Sequence, residues 1–266
     1  MDAQAEPSVL SAPDPNRAYL SNPELRSIFS NLSHELSRPL ISLRMGFDLI
    51  LTDQARAISN DQLGHVQTMI VLCDELLCLT RNSLDYAQLV EGTRPLCFGE
   101  FTIGALIREI DRQFSPTAAV RRIAWNCTLG GIDATVTTDA TRCQQIFGNL
   151  VTNALKYTPE GGEVTVEAHT QEAHWVVTVG DNGPGIPAES IERVFEPFFR
   201  LGRDEHSRGV GNGLGLAICR EMVDQLAGHV QLQSGFGQGT TVTVRMPIEP
   251  PQHPDLGRRT QVDLPA

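Results

Sequence analysis

Five short stretches combine residue types that can do chemistry. In SHELSRPL (33–40), His34 stands beside Glu35 within an apolar helical repeat. A carboxylate that takes a proton from one imidazole nitrogen leaves the other as a nucleophile. Pro39 deletes a backbone hydrogen bond and meets the Glu35 carbonyl, at a cost of about 3 kcal/mol, so a kink is expected one turn past His34. Local rule-breaking of this kind tends to mark functional sites.

In NLVTNALKYTPEGG (149–162), Asn149 and Asn153 are four apart and Lys156 three further, so one helix face carries two carboxamides and a cation. The other face carries Ile146, Leu150, Ala154 and Leu155 for packing. A carboxamide oxygen suits Mg²⁺ when a nucleotide supplies further ligands. DNGPGIP (181–187) follows an apolar strand; Gly183 and Gly185 permit close backbone approach, and Asp181 can accept a hydrogen bond from a ligand amino group. In GVGNGLGLAI (209–218), Gly209, Gly211, Gly213 and Gly215 run into a helix, whose free amides and dipole form a seat for an anion. Between these lies FEPFFRLGRDEHSRG (195–209), where Phe195, Phe198 and Phe199 precede Arg200, Arg203 and Arg208, the composition of a lid over an anionic ligand. Each stretch alone also reads plainly, as a polar helix face, a turn or a solvated loop.

The elements that must position these residues follow from periodicity. Leu25, Ile28, Phe29, Leu32, Leu36, Leu40, Leu43, Phe47, Ile50 and Leu51 form one amphipathic stripe, and Leu63, Val66, Ile70, Cys73, Leu76, Leu77, Leu84 and Leu89 a second. Joined by a polar turn near 54–61, they make an antiparallel hairpin whose exposed flank calls for a second copy, a four-helix bundle in a homodimer. EGTRPL (91–96) breaks the repeat. Beyond it, strands are expected at 163–169, 174–180 and 240–246 and helices at 139–157 and 213–228, an α+β fold in two layers. The expected divisions are a leader at 1–22, the hairpin at 23–92, a mixed domain at 93–248 and a proline-rich tail at 249–266.

Of 266 residues, 32 are acidic and 21 basic, a formal charge of −11. That length holds about two domains, which excludes a large sensor or transporter within it, and the acidic balance argues against nucleic acid or an anionic membrane as partner. Apolar residues at 41% can build a core. The six cysteines form no CxxC pair and read as packed thiols of a reducing compartment. No membrane-spanning run or signal core is apparent, so a cytoplasmic location is expected.

In order and spacing, SHELSRPL, NLVTNALKYTP, DNGPGIP, FEPFFR and GNGLGLAI resemble the signature boxes of the sensor histidine kinases of two-component systems, over about residues 25–247. The resemblance implies a dimerisation and phosphotransfer hairpin followed by an ATP-binding domain of the Bergerat type. It implies His34 as phosphoacceptor with Glu35 as acid/base partner, and Asn153 as Mg²⁺ ligand. Asn149, Lys156 and Tyr157 would lie beside the ATP phosphates and sugar. Asp181 would bind the adenine 6-amino group in a pocket shaped by Gly183 and Gly185. Arg200 would lie near the phosphates, Gly211, Gly213, Gly215 and Leu216 would flank them, and Gly237, Gly239 and Thr240 would close the pocket. The implied partners are a second copy, the receiver domain of a response regulator, and a separate sensory protein as the source of the signal. Ser37 and Arg38 depart from the family's usual run after the histidine. The threonine or asparagine that positions a dephosphorylating water is replaced by Arg38, so weak phosphatase activity is expected. The alternatives are an ATP-binding scaffold with little phosphotransfer, and an ATPase or serine kinase using the same pocket.

Overall fold

The computed structural model describes residues 40–41, 43–48, 50–51, 59–91, 95–131, 133–201 and 213–250. His34, Glu35, Ser37, Arg38, Pro39, Arg203, Arg208, Gly209 and Gly211 lie outside the described residues, as do the leader at 1–22 and all but the first two residues of the tail. The chain divides into two compact units, Met1–Val90 and Glu91–Ala266.

In the first unit the described residues between 40 and 51 are helical, and α1 spans Asn60–Glu91. Its start is fixed by reciprocal capping: Gln62 N donates to Ser59 Oγ at 3.3 Å while Ser59 N donates to Gln62 Oε1 at 3.0 Å, which satisfies two amides the helix leaves free. An ion pair of 2.6 Å joins Arg44 Nε to Asp74 Oδ1 on α1. Cys73 and Leu77 are buried, whereas Ile41, Leu43, Met45, Met69, Leu72 and Leu76 are exposed apolar side chains. The helical stretch Gln62–Val90 contains an 18-residue window with a mean hydropathy of 1.3, long and apolar enough to cross a membrane by length and composition alone. The expectation concerned an uninterrupted uncharged run, and here Asp74 and Glu75 interrupt the apolar stretch.

The second unit is a two-layer sandwich. A five-stranded sheet runs β2–β4–β5–β7–β6, built from β2 (Ala124–Gly130), β4 (Glu163–Gln171), β5 (His174–Asp181), β6 (His229–Gly235) and β7 (Gly239–Pro247). β2 is parallel to β4 and the other neighbours are antiparallel. A separate antiparallel pair joins β1 (Gly99–Thr102) and β3 (Thr135–Thr138). Strand alternation places Val164, Val166, Ala168, Trp175, Val177, Val179, Val242, Val244 and Met246 in the core, where they meet α2 (Ile103–Val120), α3 (Ala140–Tyr157) and α4 (Gly215–Gln225). The opposite face carries Thr165, Glu167, Thr178, Thr243 and Gln231, the polar half of the same alternation.

The strands expected at 163–169, 174–180 and 240–246 are present within β4, β5 and β7, and α3 and α4 lie within the helices expected at 139–157 and 213–228, α4 being shorter at both ends. α2 carries no motif, but it has clear local causes. Thr102 Oγ1 accepts from Ala105 N at 3.1 Å, and Asp133 Oδ1 accepts from Gly104 N at 2.6 Å, so two free amides at the helix start are met.

Candidate functional site

The site lies on the helix-facing side of the sheet, at the end where β5 stops and β7 starts. Val164, Asp181, Thr240 and Ser234 form one cross-strand row there. Asp181 is half-buried; its Oδ1 accepts from Gly183 N at 2.9 Å. Burial pushes its carboxyl up from the ordinary aspartate value, against the opposing pull of the Gly183 and Thr240 amides. A half-buried acceptor of this kind, held by amides rather than by a cation among the described residues, is suited to a neutral ligand donor such as an amino group.

Glycines around Asp181 let backbones meet. A Cβ on Gly183 would lie 3.0 Å from the Tyr157 carbonyl oxygen, which brings the end of α3 against this turn. Gly185 has φ +70 and a Cβ there would lie 2.0 Å from the Gly235 oxygen. Gly239, at φ +84, would bring its Cβ within 1.9 Å of the Asp181 oxygen. No other residue adopts these positions without displacement of main chain. Ser234 ties the pieces together: its Oγ accepts from Ile186 N at 2.8 Å, donates to the Gly239 oxygen at 2.7 Å and lies 3.0 Å from Thr240 Oγ1.

α3 is anchored at its start by Asp139, which accepts from Arg142 N at 3.0 Å. Its buried face includes Ile146, Leu150, Ala154 and Leu155 as expected, and Asn149, Asn153 and Lys156 are half-buried on the other. A Cβ on Gly215 would lie 3.8 Å from Asn153 Nδ2, so the Asn153 carboxamide stands at the first residue of α4. Among the described residues no side chain caps that helix start, and free amides at such a position suit an anionic acceptor. Asn149 is turned to the α3–α4 packing near the Cys219 thiol, which donates to the Ile146 carbonyl at 3.5 Å; burial pushes that thiol up to about 12. Lys156 Nζ lies 4.8 Å from the centre of the Tyr157 ring, and Tyr157 is exposed. Gly213, Gly215 and Leu216 are all half-buried at the same helix start.

The phenylalanine segment is held by stacking. Arg220 lies 4.0 Å from the Phe195 ring and Arg193 lies 4.3 Å from the Phe199 ring, contacts worth about 0.5–1 kcal/mol each at exposed sites. Phe195 is buried, whereas Phe198 is exposed at φ +65 and its amide donates to the Gly213 oxygen at 2.9 Å. Arg200 is exposed. The expectation of three aromatic anchors thus holds for Phe195 and Phe199 in stacking, while Phe198 stands out into solvent.

The structure therefore brings Asn153, Lys156, Tyr157, Asp181, Gly183, Gly185, Gly215 and Thr240 to one region of the second unit. Ser234, Arg193 and Arg220 join it without a sequence signal, since their partners lie on other elements. A half-buried acceptor among close-packed glycines beside the end of α3, and a carboxamide at the start of α4, suit a nucleotide-binding sandwich.

Known proteins agree with that class. Residues 138–250 match the family of histidine kinase-, DNA gyrase B- and HSP90-like ATPases. The sensor histidine kinase WalK of Bacillus subtilis is 32% identical over 241 residues, which cover 87% of this chain and 38% of that protein. The alginate biosynthesis sensor protein KinB of Pseudomonas aeruginosa is 28% identical over 216 residues, 81% of this chain and 36% of that protein. The catalytic domain of the histidine kinase ThkA is 31% identical with a TM-score of 0.51, covering 57% of this chain and 97% of that domain. Full-length ShkA in complex with AMPPNP is 27% identical with a TM-score of 0.69, covering 86% of this chain and 47% of that one. The chain belongs to the histidine kinases, and it spans well under half the length of WalK and KinB.

Proposed function

We propose that this chain is the kinase core of a two-component system: it binds ATP in the recess of the second unit, phosphorylates His34, and passes the phosphoryl group to an aspartate of a response regulator. The observation that carries the reading is the juxtaposition of Asp181, the glycines packed around it, the end of α3, and the start of α4, which no side chain among the described residues caps. In this reading Asp181 accepts from the adenine 6-amino group, Lys156 and Tyr157 face the phosphates and sugar, and the Gly215 and Leu216 amides take phosphate oxygens.

Asn153 fits a Mg²⁺ ligand by donor chemistry and by its place at the α4 start. Among the described residues no group of three His, Cys, Asp or Glu side chains could hold a metal, so the remaining ligands would come from nucleotide and water. Bound Mg²⁺ would offset charge on the phosphate oxygens. An imidazole nitrogen of His34 attacks the γ-phosphorus in line, the bond to the bridging oxygen breaks, and ADP leaves; Glu35 holds the proton on the other ring nitrogen. The regulator's carboxylate oxygen then takes the phosphoryl group, and His34 is restored.

The exposed apolar residues of the first unit, among them Leu43, Met45, Leu72 and Leu76, support a homodimer closed as a four-helix bundle. A cytoplasmic setting and a sensory input outside this stretch complete the reading. The test is incubation with Mg²⁺ and γ-labelled ATP beside a His34→Gln variant. Label that is acid-labile, alkali-stable and absent from the variant supports the kinase; nucleotide binding without label would favour a scaffold or ATPase.

A further inference from the structure

The last turn of α3 is held from outside by a residue that none of the signature stretches contains. Arg121, just after α2, donates through Nη1 to the Leu155 carbonyl and through Nη2 to the Lys156 carbonyl at 3.4 Å. Leu155 needs such a partner: the residue four further on is Pro159, which has no N–H to give. The preceding carbonyl, of Ala154, is met within the turn by Thr158 N at 3.0 Å and Thr158 Oγ1 at 2.7 Å. A guanidinium at this helix end also offsets the negative pole of the dipole.

The next turn is tied chiefly by backbone, its ion pair standing in solvent. Arg122, at φ +54, pairs with Glu160 at 2.6 Å and accepts from Gly161 N at 2.9 Å, and the Gly162 oxygen accepts from Ala124 N at 2.8 Å. On its other side the Tyr157 carbonyl abuts Gly183, beside Asp181. The turn from which Lys156 and Tyr157 depart is therefore fixed between Arg121 and the Asp181 loop.

We propose that Arg121 is a positioning residue for the nucleotide: by meeting the Leu155 and Lys156 carbonyls it sets the turn that presents Lys156 and Tyr157 to the phosphates and sugar. The proposal rests on the nucleotide reading above. The test measures binding of Mg²⁺-AMPPNP, ADP and adenosine to the full chain and to its Arg121→Gln, Arg121→Lys and Arg122→Gln variants, with thermal melting alongside. Arg121→Gln is expected to weaken AMPPNP and ADP about fivefold, the order of a helix-end charge interaction, and adenosine less than twofold. Arg121→Lys should regain most of the loss, and Arg122→Gln should leave all three probes within twofold. In a Lys156→Gln background, Arg121→Gln should cost AMPPNP less than it costs alone, because only the Tyr157 share is left to lose.

Equal losses for adenosine and AMPPNP, or additive losses in the double variant, would reduce Arg121 to a structural role and overturn the proposal. If Arg121→Gln fails to fold, the Arg121→Lys comparison across the three probes decides the same question, with a loss confined to the phosphate-bearing probes expected. Failure of the parent chain to bind any probe would instead overturn the nucleotide reading, and this role with it.

Discussion

Replacing Asp181 by asparagine separates what the carboxylate does for a ligand from what it does for the fold. The amide oxygen of the introduced asparagine can keep the Gly183 bond, now 2.9 Å, so the turn survives. Its NH₂ group, however, faces the position where an adenine amino group would donate, and two donors then oppose each other. Hydrogen bonds to a charged partner contribute about 1.5–3 kcal/mol, so AMPPNP affinity should fall about tenfold to a hundredfold. GTP, which presents an acceptor there, should lose nothing; the parent should prefer ATP over GTP at least tenfold.

Stability should move the other way. Burial raises the Asp181 carboxyl above its ordinary value, so the folded chain holds that proton more tightly than the unfolded chain. Its contribution to stability is then present below the unfolded value and is lost as pH rises through the folded one. Asp181→Asn lacks that loss, so relative to the parent it should gain in melting temperature as pH is raised through this acidic window. Calorimetric titrations and melts across the range from about pH 3.5 to 7, which brackets ordinary carboxyl titration, test both halves. Unchanged AMPPNP affinity, or a variant that loses relative stability as pH rises, would refute the assignment of Asp181 as a buried ligand acceptor.

Gly185→Ala should lower the melting temperature sharply, because its Cβ would lie 2.0 Å from the Gly235 oxygen at φ +70, whereas Gly237→Ala at φ +76 has nothing within 4 Å and should cost only about 1–2 kcal/mol of left-handed strain; equal melts for the two would contradict the packing described. At about pH 8, near the ordinary thiol value, iodoacetamide should modify the exposed Cys78 and Cys97 and spare the buried Cys143 and Cys219 of the native chain, which peptide mass spectrometry reads directly. Arg38→Thr should speed dephosphorylation of the phosphorylated regulator, and a rate equal to the parent's would count against the expectation drawn from that position.

Much of the site was legible because its residues repeat at helical or turn spacing. Asn149, Asn153 and Lys156 share a face of α3 while Ile146, Leu150 and Ala154 pack the other, and that contrast is written in the four-residue intervals. Ser234, Asn182 and Arg220 carried no such sign. Ser234 matters because register places it opposite Thr240, and Asn182 because its Oδ1 accepts from Glu163 N at 2.8 Å across nineteen residues. α2 is amphipathic but holds Gly104 and Pro116, and its start is capped partly by Asp133 from a distant loop. In α1, Asp74 interrupts the apolar run without making the helix polar, and its pair with Arg44 accommodates the charge.

The recess is made chiefly where one backbone touches another. Tyr157 meets Gly183 closely enough to crowd a Cβ, and Gly235 meets Gly185 and Asp181 meets Gly239 at distances that a Cβ would forbid. Such contacts tolerate almost any side chain nearby but no side chain at the glycine itself. Substitution is therefore most tightly constrained at these glycines and at the polar groups they bring together. Residues such as Arg121, which act on these junctions from behind, can vary and retune the nucleotide end of α3 without disturbing any glycine that builds the recess.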